Sequence, residues 1–302
     1  MIIPKNIIIS IFVFMFVMGC DESPTEIIPP DTTDTTATIA KSAKRGLSFN
    51  LRNAEDLDTL KGGVSWWYNW YFSTDAPEGY YDDYQMEFIP MLWGGNTSIA
   101  DRVQARAFIL DHPEIEYLLV MNEPNLVDQA NRTPAQAVED WLIYEQFLFD
   151  LANDDGRELK LVGPAMNWGT LDDYWDPVVW LDAFYAAYQS SQGREPRIDY
   201  LAFHWYDYGL SQQLDRLQKY GKQIWITEMA NWNANIDSYS KQIVQMTEMV
   251  GICESREDVF RYAWFIGRGG FPDNHYTYLF NLDPGDLNDL GHAYINLPYA
   301  GE

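Results

Sequence analysis

From residue 46 onward two hydrophobic rhythms take turns along the chain. Short runs rich in β-branched and aromatic residues occupy 46–51, 63–70, 86–93, 116–122, 159–166, 198–206, 223–229 and 259–266, the pattern of strands buried on both faces. Between them, apolar residues recur at helical spacing over 54–60, 98–110, 133–151, 177–189, 209–220 and 238–253. Start signals accompany three of these: Thr133 then Pro134, Asp176 then Pro177, and Asp237-Ser238. Each offers a side-chain oxygen to the free N–H groups of a first helical turn, and proline suits the first helical position. Eight such strands in alternation with helices predict a parallel sheet, and eight units predict its closure as an α/β fold, a (β/α)8 TIM barrel forming one catalytic domain over 46–302. An open doubly wound sheet is the alternative, but no Gly-rich phosphate turn follows the first strand. The segment leading into 86–93 and the tail after Gly267 fit the alternation less well.

The first 45 residues follow neither rhythm. Lys5 precedes an apolar run over 7–19 broken only by Ser10, and thirteen residues are too few for a helix that spans a bilayer. The run ends Val17-Met18-Gly19-Cys20, which resembles a bacterial lipobox. Residues 1–19 are thus expected to be a lipoprotein signal peptide and Cys20 the lipidated residue. An ordinary signal peptide, or a retained N-terminal anchor, is the alternative. Residues 20–45, with Pro24, Pro29, Pro30 and a Thr-rich stretch, read as a disordered tether. The expected location is the bacterial cell envelope, with membrane contact through the lipid alone. Cys253 has no intrachain partner in that reading and is expected to be buried.

Composition narrows the partners. Twenty Lys and Arg face 45 Asp and Glu, a formal charge of −25, so the chain has little from which to build the basic face that a nucleic acid or anionic polysaccharide needs. With 12 Trp, 20 Tyr and 15 Phe, it is well supplied with rings that stack on flat uncharged ligands, sugars above all. A monomer is expected.

In a barrel of this kind, chemistry collects where strands end at their C-terminal side. The fourth predicted strand ends Leu119-Val120-Met121-Asn122-Glu123-Pro124 and the seventh Ile224-Trp225-Ile226-Thr227-Glu228-Met229. One Glu after an apolar run is most often a surface residue; two at equivalent ends of nearly opposite strands can face each other across the mouth. Retaining glycoside hydrolysis needs two such carboxyl groups about 5–5.5 Å apart. Asn122, beside Glu123, can hydrogen-bond a sugar 2-hydroxyl.

Asn122-Glu123-Pro124 with Thr227-Glu228 resembles the clan A glycoside hydrolases. Gly63-Val64-Ser65-Trp66-Trp67-Tyr68-Asn69-Trp70, Pro90-Met91-Leu92-Trp93-Gly94 and Phe203-His204-Trp205-Tyr206 are similar to glycoside hydrolase family 128, and the resemblance runs through residues 46–280. It implies a retaining endo-β-1,3-glucanase acting on laminarin- or curdlan-type glucans, with Glu123 as acid/base and Glu228 as nucleophile. It also implies a hydrogen bond from Tyr206 to Glu228, His204 in the subsite wall and Trp264 under the cleaved sugar. Asn69 and Trp93 are candidates for hydroxyl contact and stacking. Trp168 and Trp232 are mouth-facing by position. Core packing is the competing account of His204, Tyr206 and Trp264. Glu123 is expected to have a raised pKa, through burial and the facing Glu228. Asp172, Asp173 and Asp176 lack a calcium-loop pattern, and His112, His275 and His292 lie in no ligand spacing, so no metal site and no cofactor are expected. A β-mannanase or β-1,4-glucanase would use the same two Glu, and a glycan-binding lipoprotein without catalysis is the remaining alternative.

Overall fold

The computed structural model describes residues 38–300. Among these the strands are β1 (Arg45–Ser48), β2 (Trp66–Tyr68), β3 (Glu87–Phe88), β4 (Met91–Leu92), β5 (Tyr117–Val120), β6 (Lys160–Met166), β7 (Tyr200–Trp205), β8 (Ile224–Met229) and β9 (Val259–Trp264). All ladders are parallel, in the order β3-β2-β1-β9-β8-β7-β6-β5-β4. The two ends of that order are the halves of one strand. Ile89-Pro90 separates them, and Pro90 has no N–H to give a ladder. The first half pairs with β2 and the second with β5, so the sheet closes on itself as an α/β barrel of eight units.

The helices are α1 (Ala54–Leu60), α2 (Tyr80–Asp83), α3 (Ile99–Asp111), α4 (Pro134–Asp155), α5 (Pro177–Gln192), α6 (Leu210–Leu217), α7 (Tyr239–Ser255) and α8 (Asp289–Asn296). The start signals read from the sequence act as caps. Thr133 forms a capping box with Gln136 ahead of Pro134, Asp176 accepts from the Val178 N–H, and Ser238 from that of Lys241. Helices α2 and α8 were not expected. The first is a single turn, too short for any periodicity, and the second is capped by Asn288.

Strand alternation sorts side chains into two cores. Trp66, Tyr68, Ile89, Met91, Tyr117, Leu119, Val162, Ala165, Ala202, Trp225 and Ala263 fill the barrel interior. A larger cluster lies between sheet and helices. Gly46 is required inside the barrel, because a Cβ there would lie 2.2 Å from the Trp66 indole. Six of the twelve tryptophans, Trp66, Trp67, Trp141, Trp180, Trp225 and Trp264, are fully buried, so half of the tryptophan content serves packing rather than ligand stacking. Cys253 is buried, and burial pushes its thiol well up.

The ordered domain starts earlier than the boundary at residue 46. Ser42 and Arg45 are buried, and the Arg45 guanidinium donates to the carbonyls of Tyr294 (2.8 Å) and Leu297 (2.7 Å) and to the Tyr262 hydroxyl (3.0 Å). Buried Glu254 accepts from the hydroxyls of Ser42 and Tyr262. This network ties β1 to α7, β9 and α8, so residues 42–45 belong to the barrel rather than to a tether. The expected signal peptide and Cys20 lie outside the described residues. Removing one partner from a buried charged network costs about 3–5 kcal/mol. Arg45→Ala should therefore lower the free energy of unfolding by that order in a denaturant titration, and a loss below about 1 kcal/mol would show that the network does not hold the barrel.

Candidate active site

Glu123 follows β5 and Glu228 lies in β8; both are buried, at 7% and 5% exposure. His204, on β7 and fully buried, stands between them. Its Nδ1 is 2.8 Å from Glu123 Oε1 and 3.4 Å from Glu228 Oε2, and its Nε2 is 2.9 Å from Thr227 Oγ1. A ring nitrogen facing two carboxylate oxygens carries its proton, so Nδ1–H donates to Glu123. The three groups each bring an atom within 4.8 Å of the others, the one such grouping of possible metal ligands among the described residues.

A bulge aims Glu228. The β7–β8 register runs Phe203 to Ile226 and then His204 to Glu228, so Thr227 is the extra residue. Strict alternation from inward-facing Trp225 would turn Glu228 toward the helices; the bulge brings both Thr227 and Glu228 to the mouth. There Glu228 accepts from three donors. Tyr68 Oη (2.9 Å) and Trp70 Nε1 (2.7 Å) reach Oε1, and the Tyr206 hydroxyl reaches Oε2. Burial, then the charge of Glu228, pushes both phenols well above their ordinary range, so they remain donors.

Backbone strain marks the same positions. Trp70 (φ 60°), Met121 (φ 56°) and Glu123 (φ 45°) occupy the left-handed region, which costs a residue other than glycine about 1–3 kcal/mol each. The surroundings hold them there. The Asn122 N–H donates to Trp93 O (2.8 Å) and the Glu123 N–H to Ala165 O (2.8 Å). Beside Trp70, Asn69 accepts from the Tyr71 N–H (3.1 Å) and donates to Ser73 O (2.9 Å).

Several sequence expectations change in this light. Asn69 is partly buried, and its hydrogen bonds to Ser73 O and from the Tyr71 N–H shape the turn that presents Trp70. Trp264 is not under the sugar. Ala263 faces the barrel interior, so Trp264 points to the helices, fully buried, with its Nε1 donating to Thr277 O (2.9 Å). Phe265 takes the inward place, packed against Trp70, Tyr206 and Trp232. Trp168 is half-buried between Trp175 (5.0 Å) and Arg216 (5.3 Å). Trp93 lies at the rim, 37% exposed. Asn122 is buried, and its Oδ1 has no protein partner.

Glu123 itself departs from expectation. Burial raises its pKa, but the hydrogen bond and charge of His204, with the Asn167 amide (2.7 Å), outweigh burial and hold the carboxyl below its ordinary value. The His204 imidazolium, lowered by burial but raised more by Glu228 and Glu123, lies above its ordinary 6.5. The proton expected on Glu123 thus rests on His204. Sequence reading missed Tyr68, Trp70, Asn167, Thr227 and Phe265. The period-2 run Trp66-Tyr68-Trp70 was available as a signal for two of them; the others depend on the bulge and on a loop that no periodicity describes.

An α/β barrel with two buried carboxylates and a sugar-compatible aromatic mouth at its strand ends defines a glycoside hydrolase of the clan A kind. Residues 46–294 match the family described as glycosyl hydrolase catalytic core. An endo-β-1,3-glucanase structure of family 128, subgroup II, from Pseudomonas viridiflava is 52% identical, with a TM-score of 0.79 over 86% of this chain and 100% of that one. A second, from Sorangium cellulosum, is 32% identical with a TM-score of 0.70 over 85% and 99%. The alkali-sensitive linkage protein 1 of Schizosaccharomyces pombe is 27% identical over 270 residues, 84% of this chain, which spans 45% of that protein's length. The chain belongs to glycoside hydrolase family 128.

The resting charge distribution is testable by NMR. His204 should titrate with a midpoint above 6.5, and Glu123→Gln, which removes an anion and an acceptor, should lower it. By linkage, the stabilising contribution of charged His204 is fully present below 6.5 and is lost as pH rises through the raised midpoint. An imidazole already neutral at pH 6 would contradict this assignment.

Proposed function

We propose that the protein is a retaining endo-β-1,3-glucanase that hydrolyses laminarin- or curdlan-type glucans, and that a lipid on Cys20 holds it at the bacterial cell envelope. The observation that carries the reaction is the separation of the carboxylates: Glu123 and Glu228 bring oxygens within 4.8 Å of one another. That favours the close spacing of retaining enzymes over the 6.5–9.5 Å or so that leaves room for a water in inverting ones. The printed activities of the two family 128 relatives support the β-1,3 linkage and internal cleavage.

In this reading Glu228 attacks the anomeric carbon while Glu123 protonates the departing glycosidic oxygen, and water activated by Glu123 then releases the sugar with retained configuration. Tyr68, Trp70 and Tyr206 donate to both oxygens of Glu228 and orient it. The proton for Glu123 is already in the site. Charged His204 beside ionised Glu123 holds as many protons as neutral His204 beside protonated Glu123. An uncharged sugar that replaces water around the pair disfavours the two charges and so shifts the proton along the 2.8 Å hydrogen bond without exchange with solvent. Asn122, beside Glu123 at the strand end, hydrogen-bonds the 2-hydroxyl, and the exposed face of Trp93 stacks on a further glucosyl unit. The charge of −25 suits a neutral polysaccharide.

Four experiments test this reading. Laminarin, curdlan, mannan and mixed-linkage glucan are offered in turn and product sizes read; mid-sized products from the β-1,3-glucans are expected, and cleavage of mannan alone would move the protein to another clan A activity. Glu228→Gln should lose turnover by about 10³-fold or more while still binding oligosaccharide. In Glu123→Ala, an activated aryl glucoside with azide should recover the missing acid–base contribution of about 10²–10⁴-fold and yield a β-glycosyl azide; an α-azide would exchange the two roles. For the anchor, Cys20→Ser should release the protein from membranes, and continued membrane association would remove the lipid proposal.

A further inference from the structure

Trp232, at the barrel mouth after β8, is 39% exposed, the exposure one looks for in a sugar-stacking residue. Both of its faces, however, are taken. The Tyr206 ring lies 4.1 Å away at 28° and the His275 ring 4.8 Å away at 21°. Two near-parallel rings at those separations cannot share one face without overlapping each other, so they cover opposite faces and only the indole edge meets solvent. Phe265 closes one side edge-on, 5.7 Å from Trp232 and 5.6 Å from Tyr206.

The backbone around the stack is tied as tightly. The Trp232 N–H donates to Tyr206 O (2.8 Å). Gln242 on α7, fully buried, donates from one amide nitrogen to Asn231 O (2.8 Å) and His275 O (3.0 Å), so a single side chain fixes the residue before Trp232 and the residue stacked on it. The segment that carries His275 is held in turn by Arg268, whose two nitrogens reach the fully buried Asp56 carboxylate at 3.1 and 3.0 Å.

We infer that Trp232 is a positioning residue rather than a sugar platform: the stack of His275 on Trp232 on Tyr206 fixes the hydroxyl that donates to Glu228, and makes the segment 267–288 part of the alignment of the nucleophile. The inference rests on Glu228 being the nucleophile and concerns what holds it in line. A free phenol can swing about its first side-chain torsion; sandwiched against an indole that is itself backed by a second ring, it keeps one rotamer. Misplacing a reacting group by about 1 Å can cost about 10²-fold in rate, so the effect belongs in kcat. A platform for sugar would instead show in KM, since stacking acts on ground state and transition state alike.

A double-mutant cycle separates these roles. On laminarihexaose, Trp232→Leu should lower kcat about 10-fold with KM nearly unchanged, and Trp232→Phe, which restores a flat ring, should recover most of the loss. In a Tyr206→Phe background the hydroxyl being positioned is gone, so Trp232→Leu should cost nothing further. Equal losses in both backgrounds, or a loss confined to KM, would overturn the inference. Should Trp232→Leu fail to fold, His275→Leu carries the same test from an exposed position: a smaller kcat loss that vanishes with Tyr206→Phe supports the stack, and unchanged kcat refutes it. The two readings fail separately. An enzyme inert on every glucan of the panel contradicts the substrate, whereas an active enzyme with additive losses contradicts the alignment.

Discussion

Two carboxylates buried within 4.8 Å of each other repel strongly in the low dielectric of a barrel mouth unless a positive charge or a proton is shared between them. His204 supplies both. Its fully buried ring touches Glu123 and faces Glu228, and its far nitrogen meets the Thr227 hydroxyl, which accepts from Nε2–H whether or not Nδ1 has passed its proton to Glu123. The remaining polar contacts divide around this centre. Asn167 serves Glu123, while Tyr68, Trp70 and Tyr206 serve Glu228. One carboxylate shares its proton donor and the other is surrounded by donors that keep theirs, so chemically identical side chains are set up for different work.

Holding that arrangement requires local departures from ideal barrel geometry. Glu228 reaches the mouth through a bulge, Trp70 and Glu123 through left-handed backbone. The departures sit over a regular interior filled by large rings, and at its opposite end Arg261 pairs with Glu87 at 2.6 Å with its guanidinium 4.8 Å from Trp225 and 4.9 Å from Tyr117. Strain in one layer persists because the layers beneath it do not yield.

The aromatic residues illustrate how one composition serves two ends. Fully buried indoles such as Trp141 and Trp180 pack where α4 meets α5, whereas Trp70 uses its N–H on a catalytic-site carboxylate and Trp93 leaves its ring open at the rim. An aromatic count points toward sugars only after packing has taken its share.

Much of the molecule was legible in order along the chain. Eight strands, six helices, three caps and both carboxylates follow from periodicity and from residue types at strand ends, because burial on both faces and capping are local demands that leave local marks. His204 and Tyr206, two positions apart, fall on one face by the same alternation. What periodicity could not carry was any position where alternation breaks or a loop turns back. Trp264 and Phe265 exchange roles because inward-facing Ala263 fixes the parity, which no single residue type reveals. The partners of Asn69, Ser73 in its own turn and Asn50 in the loop after β1, leave no periodic mark either. The proton of Glu123 rests on His204 for a reason of the same kind: a pKa is set by the charges within a few ångströms, and the residues that supply them here, 81 positions apart for Glu123 and His204, become neighbours only when the barrel closes.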